Sequence, residues 1–204
     1  MPPEPTILRP GQRPGQRLVI ATHNPGKLAE FALLLAPYGL DCVAAGALGL
    51  PEPIEDAPDF AGNARIKARA AAQAANSFAL ADDSGLLVSA LGGAPGTRSA
   101  RYATEAGGYA QAMDAIIAAT RANSHAAFAC AICLATPQGE TATYLGYCHG
   151  TIAPGPRGAT GFGYDPIFIP TGSQKSFAEL TKAEKSTISH RGRALRQFVA
   201  AHCR

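Results

Sequence analysis

The sequence predicts an α/β fold built on a mixed β-sheet. Short apolar runs of strand character alternate with helix-periodic segments along the whole chain. Two long β-like stretches, Ala127 to Ala135 and Thr141 to Ile152, have Pro137-Gln138-Gly139 between them, which suits a hairpin turn. Of the 204 residues 47% are apolar, enough for a large core and too many for a wholly disordered chain.

The elements follow in order. Residues 1–17 are rich in Pro, Gly, Gln and Arg without apolar periodicity, and read as a flexible N-terminal extension. Leu18 to Ala21 is a short apolar run typical of a buried strand. Leu28, Phe31 and Leu35 recur at helical spacing, and Pro37 and Gly39 end that helix. Residues 40–45 read as a second strand and 46–60 as a loop. The Ala-rich segment from Phe60 to Asn76 is helical, with Ile66 and Ala70 on one face. Phe78 to Ala81 is a buried strand running into Asp82-Asp83-Ser84-Gly85. Residues 92–96, Gly-Gly-Ala-Pro-Gly, form an irregular turn. Tyr109, Met113, Ile116 and Ile117 mark another amphipathic helix. The strand pair follows, then a Gly-rich stretch from Ala153 to Tyr164 and a short strand, Ile167 to Ile169. Thr181 and Glu184 have the spacing of a capping box. Leu195, Phe198 and Val199 give the last helix its apolar face.

Bulk properties narrow the function. The longest unbroken apolar run, Ala126 to Ala135, has ten residues, half of the roughly 20 a membrane-spanning helix needs. No secretory signal opens the chain, so a cytoplasmic protein with its five cysteines as free thiols is expected. The formal charge is +3, with residues 175–204 at +5 and the body mildly acidic. That distribution suggests a local anion site and not a surface coated for nucleic acid. Cys130-x-x-Cys133 lies inside an apolar β-run with no second pair, which favours core packing over zinc or redox chemistry.

Four segments have the residue types that chemistry needs. Thr22-His23-Asn24-Pro25-Gly26-Lys27 joins a strand to a helix start, where backbone N–H groups and the helix dipole favour phosphate and Lys27 adds a full charge. An ordinary strand-to-helix turn is the alternative. Asp82-Asp83 places two adjacent carboxylates at a strand end, costly unless a cation offsets them, and neighbours on a strand face opposite ways. Magnesium suits carboxylates beside phosphates, and the acidic loop offers Glu52, Glu55, Asp56 and Asp59 as further ligands; solvated carboxylates are the alternative. Gly161-Phe162-Gly163-Tyr164-Asp165 lets an aromatic ring approach a flat ligand such as a purine, or else forms a structural turn. Lys185 with His190 and Arg191 can neutralise phosphate or grip a carbonyl, or else form a charged surface helix start.

Taken together these segments resemble the inosine triphosphate pyrophosphatase family. The likeness runs through Ala21 to Lys27, Ala81-Asp82-Asp83-Ser84-Gly85-Leu86, and Leu91 to Gly96 with Ser99-Ala100-Arg101-Tyr102. It continues through Gly161 to Pro166, Glu179-Leu180-Thr181, Glu184-Lys185-Ser186 and Ser189-His190-Arg191, in family order over about residues 18–200. The resemblance implies a long mixed sheet flanked by helices, two lobes with a central cleft, and a homodimer. It implies Mg²⁺-dependent hydrolysis of ITP, dITP and XTP to the monophosphate and pyrophosphate, which cleanses the nucleotide pool, with no membrane or stable nucleic-acid partner.

Carried over by position, Thr22, His23, Asn24, Pro25, Gly26 and Lys27 would cradle the triphosphate, and Lys67 would reach a phosphate. Asp83 would be the catalytic carboxylate and a magnesium ligand, with Glu55 as the second acidic ligand and Ser84 contacting the nucleotide. Phe162 would stack on the base, with Gly163, Tyr164 and Asp165 completing its pocket. Lys185, His190 and Arg191 would close over the base and phosphates. One departure stands out: the family's Glu-Asn-Ala on the helix after the acidic loop is Gly62-Asn63-Ala64 here. Either the metal shell is weaker, or Glu55 and Asp59 compensate. Two other readings fit less well: a related pyrophosphatase of dTTP and UTP, which Phe162 to Asp165 and Ser189 to Arg191 disfavour, and a non-catalytic nucleotide or RNA binder, which the carboxylate pair disfavours.

Overall fold

In the computed structural model, residues 17–120 and 124–203 are described. Of the extension expected over residues 1–17, residues 1–16 lie outside them, and Arg17 instead opens the first strand. The six-stranded sheet has the order β2-β1-β3-β4-β5-β6, with β1 Arg17–Ile20, β2 Asp41–Ala44, β3 Phe78–Val88, β4 His125–Ala135, β5 Thr141–Ile152 and β6 Phe168–Pro170. β1 pairs in parallel with β2 and β3, and the remaining pairs are antiparallel. The pairing therefore changes from parallel to antiparallel at β3, whose other neighbour β4 follows it after the helices Ser99–Glu105 and Tyr109–Ala119.

Strand alternation assigns each face its helices. Leu18, Ile20 and Leu80 point to the side where Phe31 and Leu35 of α1 (Pro25–Leu35) and Leu195 and Phe198 of α6 (His190–His202) pack. Val19, Ala21, Ala79 and Ala81 point to the other side and meet Ala64, Ala68, Ala71 and Ala72 of α2 (Phe60–Ala75). Small residues on both partners allow that close approach. The helix presents Asn63, Ala64, Lys67, Ala68, Ala71 and Ala72, so Ile66 and Ala70 are only half-buried. The expected face was turned by one residue because it ignored polar Asn63 and Lys67, which the helix directs toward the carboxylate end of β3.

A second lobe grows on the far ends of β3, β4 and β5. It carries α3 (Ser99–Glu105), α4 (Tyr109–Ala119) and the short α5 (Lys182–Ile188). Its core joins Leu86, Val88, Met113, Ile116, Phe128, Ile152, Phe168 and Phe177. Phe128, Phe168 and Phe177 have ring centroids 4.8–5.8 Å apart. The capping box expected at the start of α5 is present, with Thr181 and Glu184 satisfying each other's backbone N–H. Cys130, Cys133, Cys148 and Cys203 are buried free thiols and Cys42 is half-buried, in accord with the packing role expected for the Cys-x-x-Cys pair.

The strand expected to stop at Ala81 continues to Val88, so Asp82 and Asp83 lie mid-strand, paired with Ile132 and Ala131 of β4. Cations on both faces offset the cost of holding two adjacent carboxylates in the strand. α6 crosses β5 at Gly146, where an added Cβ would overlap the His190 carbonyl and lie 2.6 Å from the Ala194 amide. Gly146→Ala is expected to destabilise the fold by about 1–3 kcal/mol through overpacking, read from the shift in the urea midpoint.

Candidate active site

The cleft between the lobes has a volume of about 380 Å³. Alternation along β3 splits the two aspartates between its foundations. Asp83 faces α2, and Asp82 faces α1 and α6.

Asp83 is 6% exposed and lines the cleft. Its Oδ2 accepts from Asn63 Nδ2 at 3.0 Å, and Oδ1 accepts from the Ser84 amide at 2.9 Å. Lys67 Nζ lies 4.0 Å from Asp83 Oδ1 and 3.0 Å from Glu55 Oε1. Burial raises the Asp83 pKa, and Lys67 and Asn63 only partly oppose it. For Lys67 burial works against the charge, but Asp82, Asp83 and Glu55 outweigh it and raise its pKa. The same wall therefore holds a basic carboxylate and a fixed cation.

Asp82 is 1% exposed. Its Oδ2 accepts from Arg191 Nη2 at 2.8 Å and Nε at 3.2 Å, and from the Ser84 hydroxyl at 3.1 Å. Lys27 Nζ lies 3.2 Å away. Burial disfavours the charge, yet Lys27 and Arg191 hold the carboxyl far below the usual carboxylate range. The ion pairs continue to Glu30, whose Oε2 accepts from Arg191 Nη1 and whose Oε1 accepts from Lys185 Nζ at 2.9 Å. Lys185 also donates to Asp165 Oδ2 at 2.6 Å.

The opposite wall is aromatic. Lys185 Nζ lies 4.8 Å and Arg191 Cζ 5.8 Å from the Phe162 ring centroid. An added Cβ on Gly26 would lie 2.6 Å from that ring, so only glycine lets α1 come this close to Phe162. Tyr164 donates from its hydroxyl to the Ser99 carbonyl at 2.9 Å and packs edge-on against Tyr109. His190 stacks on Phe128 at 4.7 Å, and burial lowers its pKa well below the usual histidine value. It faces the cleft as a neutral ring, a hydrogen-bonding group and not a counter-charge for phosphate.

The structure brings most of the expected site together. Thr22, Asn24, Lys27, Glu55, Lys67, Asp83, Ser84, Phe162, Gly163, Tyr164, Asp165, Lys185, His190 and Arg191 all line the cleft. His23, Pro25 and Gly26 do not. His23 Nδ1 instead pairs with Glu52 at 2.8 Å and tethers the acidic loop. Pro25 and Gly26 line a neighbouring cavity of about 310 Å³ between α1 and α5.

The phosphate cradle also differs in kind. Asn24 caps α1, and its Oδ1 takes the amides of Gly26 and Lys27 at 2.9 and 3.1 Å, while the Leu28 amide bonds the Asn24 carbonyl. The helix-end donors are already satisfied. The Asn24 backbone N–H donates to Thr22 Oγ1 at 3.2 Å, so what remains for an anion is the Thr22 hydroxyl proton, the Asn24 side-chain NH₂ and Lys27. Asp165 accepts from Lys185 and from the Phe162 amide, so it shapes the aromatic loop from within. The surface alternative for Lys185, His190 and Arg191 is excluded, since all three are buried. Part of the basic tail has other work. Arg193 and Arg196 donate to carbonyls of Ser186, Thr187 and Ile188 at the end of α5.

Asp59 does not replace the missing acidic residue of α2. Its Oδ1 accepts from the Gly62 amide and caps the helix. Among the described residues no group of three His, Cys, Asp or Glu side chains is arranged to hold a metal. The donor set that is present, Asp83 and Glu55 on either side of Lys67, fits magnesium in its common manner, with one or two carboxylates and the rest of the shell left to water and phosphate.

A family model described as the Ham1 family matches residues 18–201. The chain belongs to the Ham1 family. A relative from Gluconobacter oxydans (strain 621H), described as a dITP/XTP pyrophosphatase, is 50% identical over 188 residues, 91% of this chain and 90% of its own length. Another so described, from Zymomonas mobilis, is 47% identical over 190 residues, 91% of each chain. The solved HAM1 protein of Coxiella burnetii superimposes with a TM-score of 0.81 at 38% identity, covering 91% of this chain and 98% of that one. A solved nucleoside-triphosphatase / dITP/XTP pyrophosphatase from Mycobacterium abscessus gives 0.71 at 39% identity, covering 90% and 98%. These agree with the α/β architecture and family that the sequence motifs implied.

Proposed function

We propose that this member of the Ham1 family is a nucleoside triphosphate pyrophosphatase that hydrolyses deaminated purine nucleoside triphosphates. Its substrates are ITP, dITP and XTP, its products the monophosphate and pyrophosphate, and its cofactor Mg²⁺. The observation that carries the reading is the division of one cleft into two chemistries. Asp83, Glu55 and Lys67 lie on one wall, and Phe162 with Lys185 and Arg191 on the other.

The residues act as follows. Lys27, the Thr22 hydroxyl and the Asn24 side-chain NH₂ contact the phosphates, and Lys67 offsets charge that develops on the pyrophosphate as the α–β anhydride breaks. Asp83, made more basic by burial, orients the attacking water and takes its proton at a carboxylate oxygen. Magnesium held by Asp83 and Glu55 would supply further charge neutralisation and a more acidic water. The base stacks on Phe162 with its six-position toward Lys185 and Arg191. Hypoxanthine and xanthine offer a carbonyl to these donors. Adenine offers an amino group and leaves the donors unpaired, a mismatch that discriminates strongly in a buried site. GTP shares the six-carbonyl and is rejected at its two-amino group.

The test is a product assay with Mg²⁺ and, separately, ITP, dITP, XTP, ATP, GTP, dTTP and UTP. Pyrophosphate from the first three alone is expected. Orthophosphate would place cleavage at the wrong bond, and turnover of dTTP or UTP would assign the chain to a different base class. No helix among the described residues is long and apolar enough to cross a membrane.

A further inference from the structure

We infer that Thr160 is a positioning residue for base binding: its hydroxyl ties the loop that carries Phe162 to the segment that leads into α5, and so fixes the Phe162 ring relative to Lys185. The inference rests on the function proposed above and extends it to a residue that does not line the cleft.

Phe162 belongs to no strand or helix. It lies in the irregular stretch between β5 and β6, so tertiary bonds must hold it in place. Residues 157–160 of that stretch are laced to residues 176–180. The Ser176 hydroxyl, fully buried, donates to the Arg157 carbonyl at 2.7 Å. The Thr160 N–H donates to the Ala178 carbonyl at 3.0 Å. The Thr160 hydroxyl lies 2.8 Å from the same oxygen and 2.9 Å from the Leu180 carbonyl, so one proton is shared between two acceptors. The segments are close enough that an added Cβ on Gly158 would overlap the Ala178 carbonyl.

Thr160 stands at the join of two features of the base wall. Phe162 follows it by two residues. Leu180 precedes Thr181, the N-cap of α5, and that helix carries Lys185 to 4.8 Å from the Phe162 ring centroid. Asp165 already ties the C-terminal side of the ring, accepting from both the Phe162 amide and Lys185. A loop held on one side can pivot about that point; the Thr160 bonds supply the hold on the other side. A ring that is fixed before the ligand arrives spares the ordering cost of binding, and a loosened ring adds that cost to the dissociation constant.

The test compares the wild type with Thr160→Val, which keeps the shape and loses the hydroxyl, and Thr160→Ser, which keeps the hydroxyl. Valine is expected to raise KM for ITP and the dissociation constant of inosine monophosphate about fivefold, the worth of one hydrogen bond, with kcat little changed. Serine is expected to restore both to near the wild-type values. Inhibition by inorganic triphosphate, which has no base, should be the same in all three proteins. A residue that only supported the fold would reduce the active fraction, lowering kcat and leaving KM and both affinities alone, and that result would overturn the inference. Equal weakening of inosine monophosphate and inorganic triphosphate would overturn it as well. The unliganded crystal structure of Thr160→Val does not depend on turnover. There the Phe162 ring should be displaced from its place 4.8 Å from Lys185 Nζ. A ring that keeps that place would overturn the inference whatever the substrate is. A displaced ring, on a protein whose wild type does not hydrolyse ITP, would instead overturn the proposed reaction alone.

Discussion

Replacing Asp83 with asparagine is expected to lower ITP turnover by about 10²–10⁴-fold, the usual contribution of a general base, while the melting temperature stays near that of the wild type. The stability half of this expectation follows from the sign of the pKa shift. Burial raises the Asp83 pKa in the folded chain, so its ionised form is disfavoured by folding. That penalty is absent below the unfolded value and grows as pH rises toward and through the raised folded one. A neutral isostere removes it. Against this gain, the new amide must place its NH₂ near either the Asn63 amide or the Ser84 N–H, both donors, at about 1–3 kcal/mol. The two effects oppose each other, so a small net change is expected. Catalysis has no such compensation, since an amide neither takes the proton of water nor holds a cation as a carboxylate does. Steady-state kinetics and thermal melting on the same preparation give the answer. Turnover within tenfold of wild type would remove Asp83 from the chemistry.

The difference between the two aspartates shows where sequence reading stopped. Alternation along a strand already required them to face opposite ways, and the structure obeys it. Which one faces the cleft depends on which helix covers which side of β3, a tertiary fact that Ala81-Asp82-Asp83-Ser84 does not contain. Local signals were legible for local reasons: the Thr181–Glu184 capping box, the Pro137-Gln138-Gly139 hairpin and the helix after Asn24 depend on residues within a few positions of each other. The aromatic and cationic motifs were legible as chemistry because glycines beside Phe162 and basic residues beside His190 are unusual neighbours. Asn63 and Glu30 were missed as site members. Each touches a partner far away in the chain, Asp83 for Asn63 and Lys185 and Arg191 for Glu30. A polar residue in the helical register that faces the core was the available signal for Asn63, and it was read as a motif change at Gly62 instead. The helix-end amides after Asn24 were counted as free because capping by the Asn24 side chain competes for the same donors as a phosphate.

Asp82→Asn should be the most destabilising of these substitutions. The carboxylate is buried between Lys27 and Arg191, and its neutral replacement leaves Lys27 with no carboxylate partner among the described residues and Arg191 with Glu30 alone. Breaking a buried pair from one side typically costs about 3–5 kcal/mol, because the remaining charge is left uncompensated. For a chain of this size that lowers the melting temperature by roughly 10 °C. The pH dependence separates this cause from simple loss of packing. The folded-state pKa values of Asp82 and Glu30 are depressed, so the stability they contribute is fully present above their unfolded values, about pH 4. It is lost as pH falls through that range toward the folded values. The gap between wild type and Asp82→Asn should therefore be widest near neutrality and should shrink steadily below about pH 4, as the wild type gives up what the variant already lacks. Denaturant midpoints at neutral pH and at successively lower pH measure it. A gap that stays constant with pH would mean that the substitution acts through shape alone and that the charge on Asp82 does not hold Lys27 and Arg191 in the cleft.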